Sequence, residues 1–372
     1  MTRTDEAAMN EGEIDWLASP AGQATIEALR GVDPLRARAQ FPDLSADQVA
    51  AALTQARHKP AGFPLRLVTA DGIQQATPLA VAKRRATRLA QTDAAVVDAG
   101  CGIGLDAWAF AQAGLRVTAF ERDPQTAAVA RANGVDVRIG DITTAELPDL
   151  PIYVDPARRR AHQDVTGRPL RVRDPKQWSP PWSWVRAHAA IARVAPGFRG
   201  VPEGAEWHCS SIARSLVDAT IWMPPRAQVD RRASVLHHSV WHELTGPAAA
   251  VDSGQALDYL LDPDPAIVRA GLVSNAAQEC AGTLIDPQLA FVTSNQQPAG
   301  WLGRGMQILD EVPLKQARAA CRSHGLERVT VWSRGFNRPP DVGLPQGQEG
   351  IVAAARLGPH RVARAWVGVP TA

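Results

Sequence analysis

The feature that most constrains this chain is an apolar run, AAVVD, which ends at Asp98 and passes directly into a glycine-rich turn. Glycine occupies every second position of the turn, at Gly100, Gly102 and Gly104, and a helix-forming stretch follows. Glycines after a strand let the backbone approach a ligand closely, and the next helix presents free N–H groups. The segment therefore predicts a ligand-binding turn at the end of a strand.

Strand-like and helix-like segments alternate on both sides of this turn. The β-α-β-α-β order predicts an α/β fold with a parallel sheet and right-handed crossovers. In chain order, the segments are a strand over 94–98, a helix closed by Gly114, a strand over 115–121, a helix closed by Asn133 and Gly134, and strands over 135–141 and 150–156.

Helical patterns dominate the N-terminal part of the chain. Ser45 is predicted as the N-cap of one helix, and Thr77 as the N-cap of another with Pro78 at its first position. Beyond the parallel sheet, the runs 216–223 and 231–238 are predicted as strands that form a neighbouring antiparallel pair.

The C-terminal part of the chain has a different order of predicted elements: a strand, a helix stopped by Gly325, a second strand and a hairpin. This order predicts a small α+β module. The predicted division is a helical N-terminal segment over 1–70, an α/β domain over 71–245, a connecting segment over 246–300 and the small module over 301–372.

Composition excludes several classes of protein. The four cysteines among 372 residues form no CxxC pair, so neither a disulfide framework nor a metal site with close zinc ligands is predicted. The acidic, polar start of the chain does not resemble a signal peptide, and no apolar run is long enough for a membrane span. A cytoplasmic protein is the resulting expectation.

The spacing of the turn narrows the choice of ligand. A dinucleotide-binding GxGxxG fingerprint needs a third glycine where this chain has Leu105, so an NAD-dependent enzyme is disfavoured. A P-loop needs a lysine that the turn lacks. A carboxylate at Asp98 is unfavourable beside a pyrophosphate and suits a cationic amino group.

Acids at two further strand ends complete a pattern. Glu121 ends the second strand, where an acid can accept hydrogen bonds from both ribose hydroxyls, and Asp141 ends the third, where it can accept from an adenine amine. Together with the turn, these acids resemble the class I S-adenosylmethionine-dependent methyltransferases over roughly residues 71 to 240. The resemblance implies a Rossmann-like sheet and S-adenosylmethionine as cofactor.

The sequence YVDPARRR follows the fourth strand. In amino-directed methyltransferases this place holds Asp/Asn-Pro-Pro-aromatic, which orients the target amine. Asp155 and Pro156 match this motif, whereas Ala157 and Arg158 do not. By this resemblance Asp155 and Pro156 are predicted to meet the acceptor, with Asp155 orienting it or taking its proton.

Arginines crowd the loop that begins here. Beside an active-site edge, such a cluster is a candidate track for RNA phosphates, although a solvated basic loop fits the pattern equally well. The candidate RNA-binding residues are Arg158, Arg159, Arg160 and Arg171, with Arg168 and Arg173 in the same loop.

The whole chain resembles a bacterial methyltransferase-like family in which a helical segment precedes the catalytic domain and a THUMP-like module ends the chain. This resemblance implies RNA as the partner, a role for Thr77 near the methionine end of the cofactor, and a THUMP-like identity for residues 301–372. It rests on QQATPLAVAKRRATRL (74–89), VVDAGCGIGLDAWAFA (96–111), VDPARR (154–159), LDYLLDPDPAIVRAGL (257–272) and VTVWSRGF (329–336).

The C-terminal module also carries many arginines, which suggest a basic surface. They are Arg318, Arg322, Arg328, Arg334, Arg338, Arg356, Arg361 and Arg364.

The resulting hypothesis is a cytoplasmic methyltransferase that acts on a nucleotide in structured RNA such as tRNA or rRNA. One alternative is a non-catalytic RNA-binding protein with a vestigial cofactor pocket. Another is a methyltransferase of small molecules or proteins, in which the arginine loop recognises a carboxylate.

Overall fold

The computed structural model describes residues 9–163, 169–172 and 174–371, without the side chains of 159–163 and 169–171. The chain divides into two compact units, Met1–Val194 and Ala195–Ala372. The sequence predicts a boundary near 245, whereas the units meet at 194. The four-part division stays a prediction.

The first unit contains a parallel sheet flanked by helices, as the alternating pattern predicts. Its helices are α1 Glu11–Ala18, α2 Pro20–Ala28, α3 Pro34–Gln40, α4 Ala46–His58, α5 Ala70–Gln75, α6 Leu79–Leu89, α7 Leu105–Gln112, α8 Pro124–Ala132 and α9 Trp182–His188. Its strands are β1 Ala95–Ala99, β2 Arg116–Glu121, β3 Val137–Ile139, β4 Ile152–Val154, β5 Arg159–Gln163, β6 Pro169–Arg171 and β7 Ile191–Arg193.

The order of the parallel strands is β7-β4-β1-β2-β3. Strand β1 is central and all five of its residues are buried. Because the chain leaves β1 on one side to form β2 and later returns to form β4 on the other, the sheet has a topological switch point at the carboxyl end of β1. Ligands of open α/β sheets bind at such points.

The N-terminal helices pack onto this unit rather than standing apart. Their apolar residues Leu17, Ile26 and Leu29 share one core with Leu105 of α7 and Val129 of α8. Helices of this length are unstable in isolation. The shared core stabilises them because it removes their apolar faces from water.

The helix caps confirm one prediction and correct another. Ser45 caps α4, and Gln48 completes a capping box with it. Thr77 is not the N-cap of α6, because the cap position belongs to Pro78 and the hydroxyl of Thr77 bonds elsewhere, to Asp106.

The second unit contains two groups of strands. Its helices are α10 Pro265–Ala270, α11 Val273–Glu279 and α12 Ala317–Ser323. Its strands are β8 Glu206–Ile212, β9 Ser215–Trp222, β10 Arg231–His237, β11 Val240–Gly246, β12 Tyr259–Pro263, β13 Thr283–Leu284, β14 Val292–Ser294, β15 Gly303–Pro313, β16 Val329–Arg334, β17 Gly350–Leu357 and β18 Val362–Pro370.

The predicted antiparallel pair of 216–223 with 231–238 is wrong. Strands β9 and β10 form there, but β8 lies between them, antiparallel to β9 and parallel to β10. The pattern hides β8 because Glu206, His208, Ser210 and Ser211 are buried polar residues, so the strand lacks an apolar run.

The second group of strands is a sheet with the order β13-β14-β12-β15-β18-β17-β16. The predicted C-terminal strands and hairpin belong to this sheet, and the predicted helix forms as α12. Gly325 follows α12 with a φ of +73°. The sheet also takes β12, β13 and β14 from the predicted connecting segment, so the module over 301–372 is completed by earlier residues.

Candidate active site

The glycine turn lies between β1 and α7 at the switch point of the parallel sheet. The N–H groups of Gly100 and Cys101 both donate to the carbonyl oxygen of Phe120, at 2.9 Å. Gly100 and Gly102 have φ angles of +87° and +55°, which favour glycine. A Cβ atom at either position would meet no atom within 4 Å, so the space beside the turn is open.

The third glycine of the turn has a different surrounding. A Cβ atom on Gly104 would lie 2.7 Å from Cγ2 of Val135, so this glycine permits close packing of α7. The side chain of Asn133 steadies the same stretch by donating to the carbonyl oxygen of Ile103 at 2.9 Å and by bonding both backbone groups of Leu67. Gly104 therefore lets the turn pack closely against Val135, on the side away from the open space.

Asp98 ends β1 directly before the turn, with 1% of its surface exposed. Within the described residues, its Oδ2 atom has no hydrogen-bond partner. Burial raises the pKa of Asp98 well above its ordinary value, and the nearby Asp106, Asp155 and Glu121 raise it further. A buried carboxyl without a partner is costly unless a ligand completes it.

Glu121 ends β2 beside the turn, as predicted. Its Oε2 accepts the N–H of Gly102 and its Oε1 accepts the N–H of Asp123, both at 3.0 Å. These bonds fix the carboxylate against the turn. A carboxylate has about four acceptor positions, so roughly two remain for further donors.

Asp141 lies at the same edge of the sheet, two residues beyond β3. Its Oδ1 accepts the N–H and the hydroxyl of Thr143, at 2.8 and 2.7 Å. These hydrogen bonds lower the pKa of Asp141. The side chain is exposed and its other oxygen remains an acceptor.

A polar network connects Thr77 to the site. The hydroxyl of Thr77 donates to Oδ2 of Asp106 at 2.8 Å. Nη1 of Arg85 lies 2.5 Å from Oδ1 of Asp106 and donates to the hydroxyl of Tyr153 at 2.8 Å. Thr77, Arg85 and Tyr153 are all buried, so the network joins α6, α7 and β4 beneath the turn.

Sequence reasoning missed Arg85, Asp106 and Tyr153. One signal was present, because Arg85 lies on the apolar face of α6 among Val81, Ala82, Ala86 and Leu89. A charged residue at such a position needs a buried partner. The partner itself could not be read from the sequence, since Asp106 lies 21 positions away.

Asp155 follows β4 and is engaged by two arginines. Its Oδ2 lies 2.7 Å from Nη1 of Arg193, and its Oδ1 lies 3.6 Å from Nη2 of Arg158. Arg193, at the end of β7, also donates to the carbonyl oxygen of Gln75 at 3.2 Å. The ion pair, which the sequence did not predict, holds the carboxylate in one orientation at the carboxyl edge of the sheet.

The residues after Asp155 are fixed by backbone pairing. Pro156 is buried, and Ala157 exchanges two backbone hydrogen bonds with Ser179, at 2.7 and 3.1 Å. Arg159 and Arg160 begin β5, and Arg171 ends β6, so these predicted RNA-binding residues lie in a hairpin. Their side chains, and all of Arg168 and Arg173, lie outside the described residues.

Comparison with known proteins finds a relative of this chain. Over 268 residues the chain is 29% identical to an S-adenosylmethionine-dependent methyltransferase of Mycobacterium tuberculosis, itself described as uncharacterised, from strains CDC 1551 and H37Rv. The match covers 68% of this chain and 72% of the relative. No family model matches the chain.

The fold has a counterpart among solved structures. A protein of Porphyromonas gingivalis W83, provisionally assigned as a methyltransferase, superposes with a TM-score of 0.71 at 16% identity, over 98% of this chain and 100% of that one. The relatives of Mycobacterium tuberculosis confirm the predicted enzyme class, an S-adenosylmethionine-dependent methyltransferase, and the predicted cofactor, S-adenosylmethionine. Within the described residues, no helix combines the length and apolar character that crossing a membrane requires.

Proposed function

We propose that the protein is a cytoplasmic methyltransferase that transfers the methyl group of S-adenosylmethionine to a nucleotide of structured RNA, such as a tRNA or rRNA. The assignment of the cofactor site rests on one observation. Within the described residues, the buried Oδ2 of Asp98 has no hydrogen-bond partner, and it lies beside the open turn at Gly100 and Gly102. An ammonium group, which the methionine part of the cofactor carries, would supply that partner.

The residues around the turn fit the rest of this cofactor. Asp98, Gly100 and Gly102 would hold its methionine part, and the two remaining acceptor positions of Glu121 suit the two ribose hydroxyls. The free oxygen of Asp141 suits an adenine amine. Thr77 acts through Asp106, whose carboxylate it orients beneath the turn.

When bound, S-adenosylmethionine supplies a methyl group on a positively charged sulfur, which departs as a neutral thioether. The main task of the chain is therefore to position the acceptor. Asp155, held by Arg193, would accept a hydrogen bond from the acceptor and orient it, and the buried Pro156 would fix the backbone that follows.

RNA as substrate is supported by charge at this edge. Arg158 lies beside Asp155, and the hairpin of β5 and β6 continues directly from it with further arginines. Guanidinium groups bind phosphates in a planar, bidentate geometry. We further propose that residues 301–372, completed by β12 to β14, act as a THUMP-like RNA-binding module. The four cysteines are free and buried, which fits a reducing compartment.

Calorimetric titration with S-adenosylmethionine, and with NAD as control, tests the cofactor site. We expect binding of the former alone. Incubation with total RNA and methyl-labelled cofactor then tests the substrate. We expect label in RNA with the wild type and none with Asp155→Ala, which should bind the cofactor nearly as well as the wild type does. Full transfer by this variant would contradict the role of Asp155.

The pairing of Asp155 with two arginines favours a second candidate, a non-catalytic RNA-binding protein that keeps a cofactor pocket. This candidate predicts cofactor binding and RNA binding without transfer of label. A methyltransferase of small molecules or proteins would instead transfer label without binding RNA.

A further inference from the structure

A buried carboxylate in the second unit gathers three arginines around it. Asp262 lies near the end of β12 and is 4% exposed. Its Oδ2 lies 2.8 Å from Nε of Arg304 and 3.3 Å from Nη2 of Arg214, and its Oδ1 lies 2.5 Å from Nη2 of Arg334. The sequence gives no sign of this cluster, because its members are spread over 120 positions.

The curvature of the second sheet brings these side chains together. Arg304 is the register partner of Asp262, whereas Arg334 lies on β16, which three strands separate from β12 in the sheet order. Strands lie about 4.8 Å apart, so a flat sheet would hold these two strands roughly 19 Å apart. The direct contact requires a sheet that curls around its core.

Aromatic rings hold the guanidinium groups in fixed planes. Arg304 lies over the ring of Trp332 at 4.4 Å, and Arg334 lies over the ring of Phe291 at 5.8 Å. Both rings belong to one core cluster, on the sheet face that lies opposite α12. An arginine held by a carboxylate and a ring keeps little rotamer freedom, so it loses less entropy when it binds a ligand.

Arg214 reaches the cluster from a strained turn. The two residues that join β8 to β9, Ala213 and Arg214, have φ angles of +48° and +60°, which non-glycine residues rarely adopt. Arg214 donates to both the carbonyl oxygen and the carboxylate of Asp262, at 3.3 Å each. The turn thus places a third guanidinium group against the same carboxylate despite the cost of its backbone.

Two further exposed arginines lie beyond the end of β16 and outside this cluster. Arg356, which is exposed, lies over the ring of Phe336 at 4.9 Å, and Arg361 donates to the carbonyl oxygen of Gly335 at 2.7 Å. Gly335 follows Arg334 directly in the chain. Ala355 pairs with Arg334 and shares its face, so the next residue, Arg356, lies on the other face of β17. We therefore call Arg214, Arg304 and Arg334 alone the arginine row.

The arginine row retains binding capacity beyond its internal bonds. The side chains of Arg214, Arg304 and Arg334 are 34%, 42% and 31% exposed. Three guanidinium groups carry roughly 15 N–H donors, and a carboxylate accepts about four hydrogen bonds. A neighbouring carboxylate, Asp264, is buried and already accepts from Ser211 and Ala266. Most donors of the row are therefore available to an anion.

We propose that the arginine row binds the phosphodiester backbone of the RNA substrate. The proposal rests on RNA being that substrate, as argued above. Asp262 acts as a positioning residue, since it aligns the guanidinium groups without contacting RNA. Charge complementarity and the aromatic platforms favour a nucleic-acid backbone over an acidic protein, because phosphates accept bidentate bonds from several arginines in succession.

The test measures binding of the full-length protein to a fluorescein-labelled RNA hairpin by anisotropy at several salt concentrations. Arg304→Gln should lower the affinity about tenfold at low salt and reduce the slope of log affinity against log salt by about one. Arg334→Gln should do the same, because Arg334 is also a partly exposed member of the row. The control is Arg36→Gln, an exposed arginine on α3, which should change neither quantity.

The outcomes separate this proposal from the proposed function. If the wild type binds the hairpin and both glutamine variants bind with unchanged affinity and slope, the arginine row is not the RNA contact, while RNA remains the substrate. If the wild type does not bind RNA, both fail, although calorimetry with S-adenosylmethionine still tests the cofactor site alone. Retained affinity in Arg304→Lys, which keeps the charge, would further support the proposal.

Discussion

At the scale of single residues, the buried carboxyl of Asp98 links cofactor binding to pH. Its pKa is raised mainly by burial, so the folded protein holds a proton here that the unfolded chain has released. The protonated carboxyl of Asp98 makes its full contribution to stability below pH 3.8, the ordinary pKa of an aspartate. This contribution is lost as the pH rises through the raised pKa of the folded protein. A cationic ligand prefers the charged form, so its binding should release the proton.

Asp98→Asn tests this link. The amide never titrates, so above pH 3.8 the ligand-free variant should become more stable than the wild type by a margin that grows with pH. Its affinity for S-adenosylmethionine should fall about 100-fold, because a buried hydrogen bond to a charged group is lost. Chemical unfolding at several pH values and calorimetry measure the two effects. Asp136→Asn, an exposed acid before β3, is the control and should change neither.

A second prediction separates the ligand role of a glycine from its backbone role. Gly100 and Gly114 have φ angles of +87° and +91°, and a Cβ atom at either would meet nothing within 4 Å. Alanine at each position should therefore cost a similar ~1 kcal/mol of stability through backbone strain. Only Gly100→Ala should lose most of its affinity for S-adenosylmethionine, measured by calorimetry. Equal affinities in the two variants would remove Gly100 from the binding site.

At the scale of elements, the buried network of Arg85, Asp106 and Tyr153 joins α6, α7 and β4. Arg85→Met should destabilise the protein by about 3 kcal/mol, because it leaves Asp106 without its cation. Lys83→Met on the same helix removes an exposed cation that lies over Trp108 at 5.7 Å, and should cost less than about 1 kcal/mol. Urea unfolding of both variants compares them. Equal losses would show that the network carries no special stability.

The same elements show how far the sequence predicts the fold and the site. The strand-turn-helix around Asp98 was predictable, because its pattern is local: an apolar run, three spaced glycines and an acid. Strand β8 was not, because its buried polar residues gain their partners only in the folded sheet, as Glu206 does from Arg232 at 2.8 Å. Arg193 and Arg85 were missed for the same reason, since each meets its acid in the fold rather than along the chain. Arg193 meets Asp155 from the neighbouring strand, and Arg85 on α6 meets Asp106 on α7.

At the scale of the whole molecule, binding of the cofactor and binding of the RNA backbone by the arginine row are assigned to different units. The residues proposed for the cofactor lie within Met1–Val194, and the arginine row lies within Ala195–Ala372. Each ligand should therefore order its own set of backbone amides, and the two sets should be separable in one measurement of hydrogen exchange.

We expect S-adenosylmethionine to slow exchange in peptides that cover the glycine turn and the end of β2. The RNA hairpin should slow exchange at the start of β15 and the end of β16, as well as in the hairpin of β5 and β6. Arg304→Gln should lose the protection at β15 and β16 and keep the protection by the cofactor, since Arg304 contacts Asp262 and Trp332, which belong to the second unit. Protection by RNA that is confined to the first unit would contradict the arginine row, because bound phosphates would then lie entirely along the edge that carries Asp155.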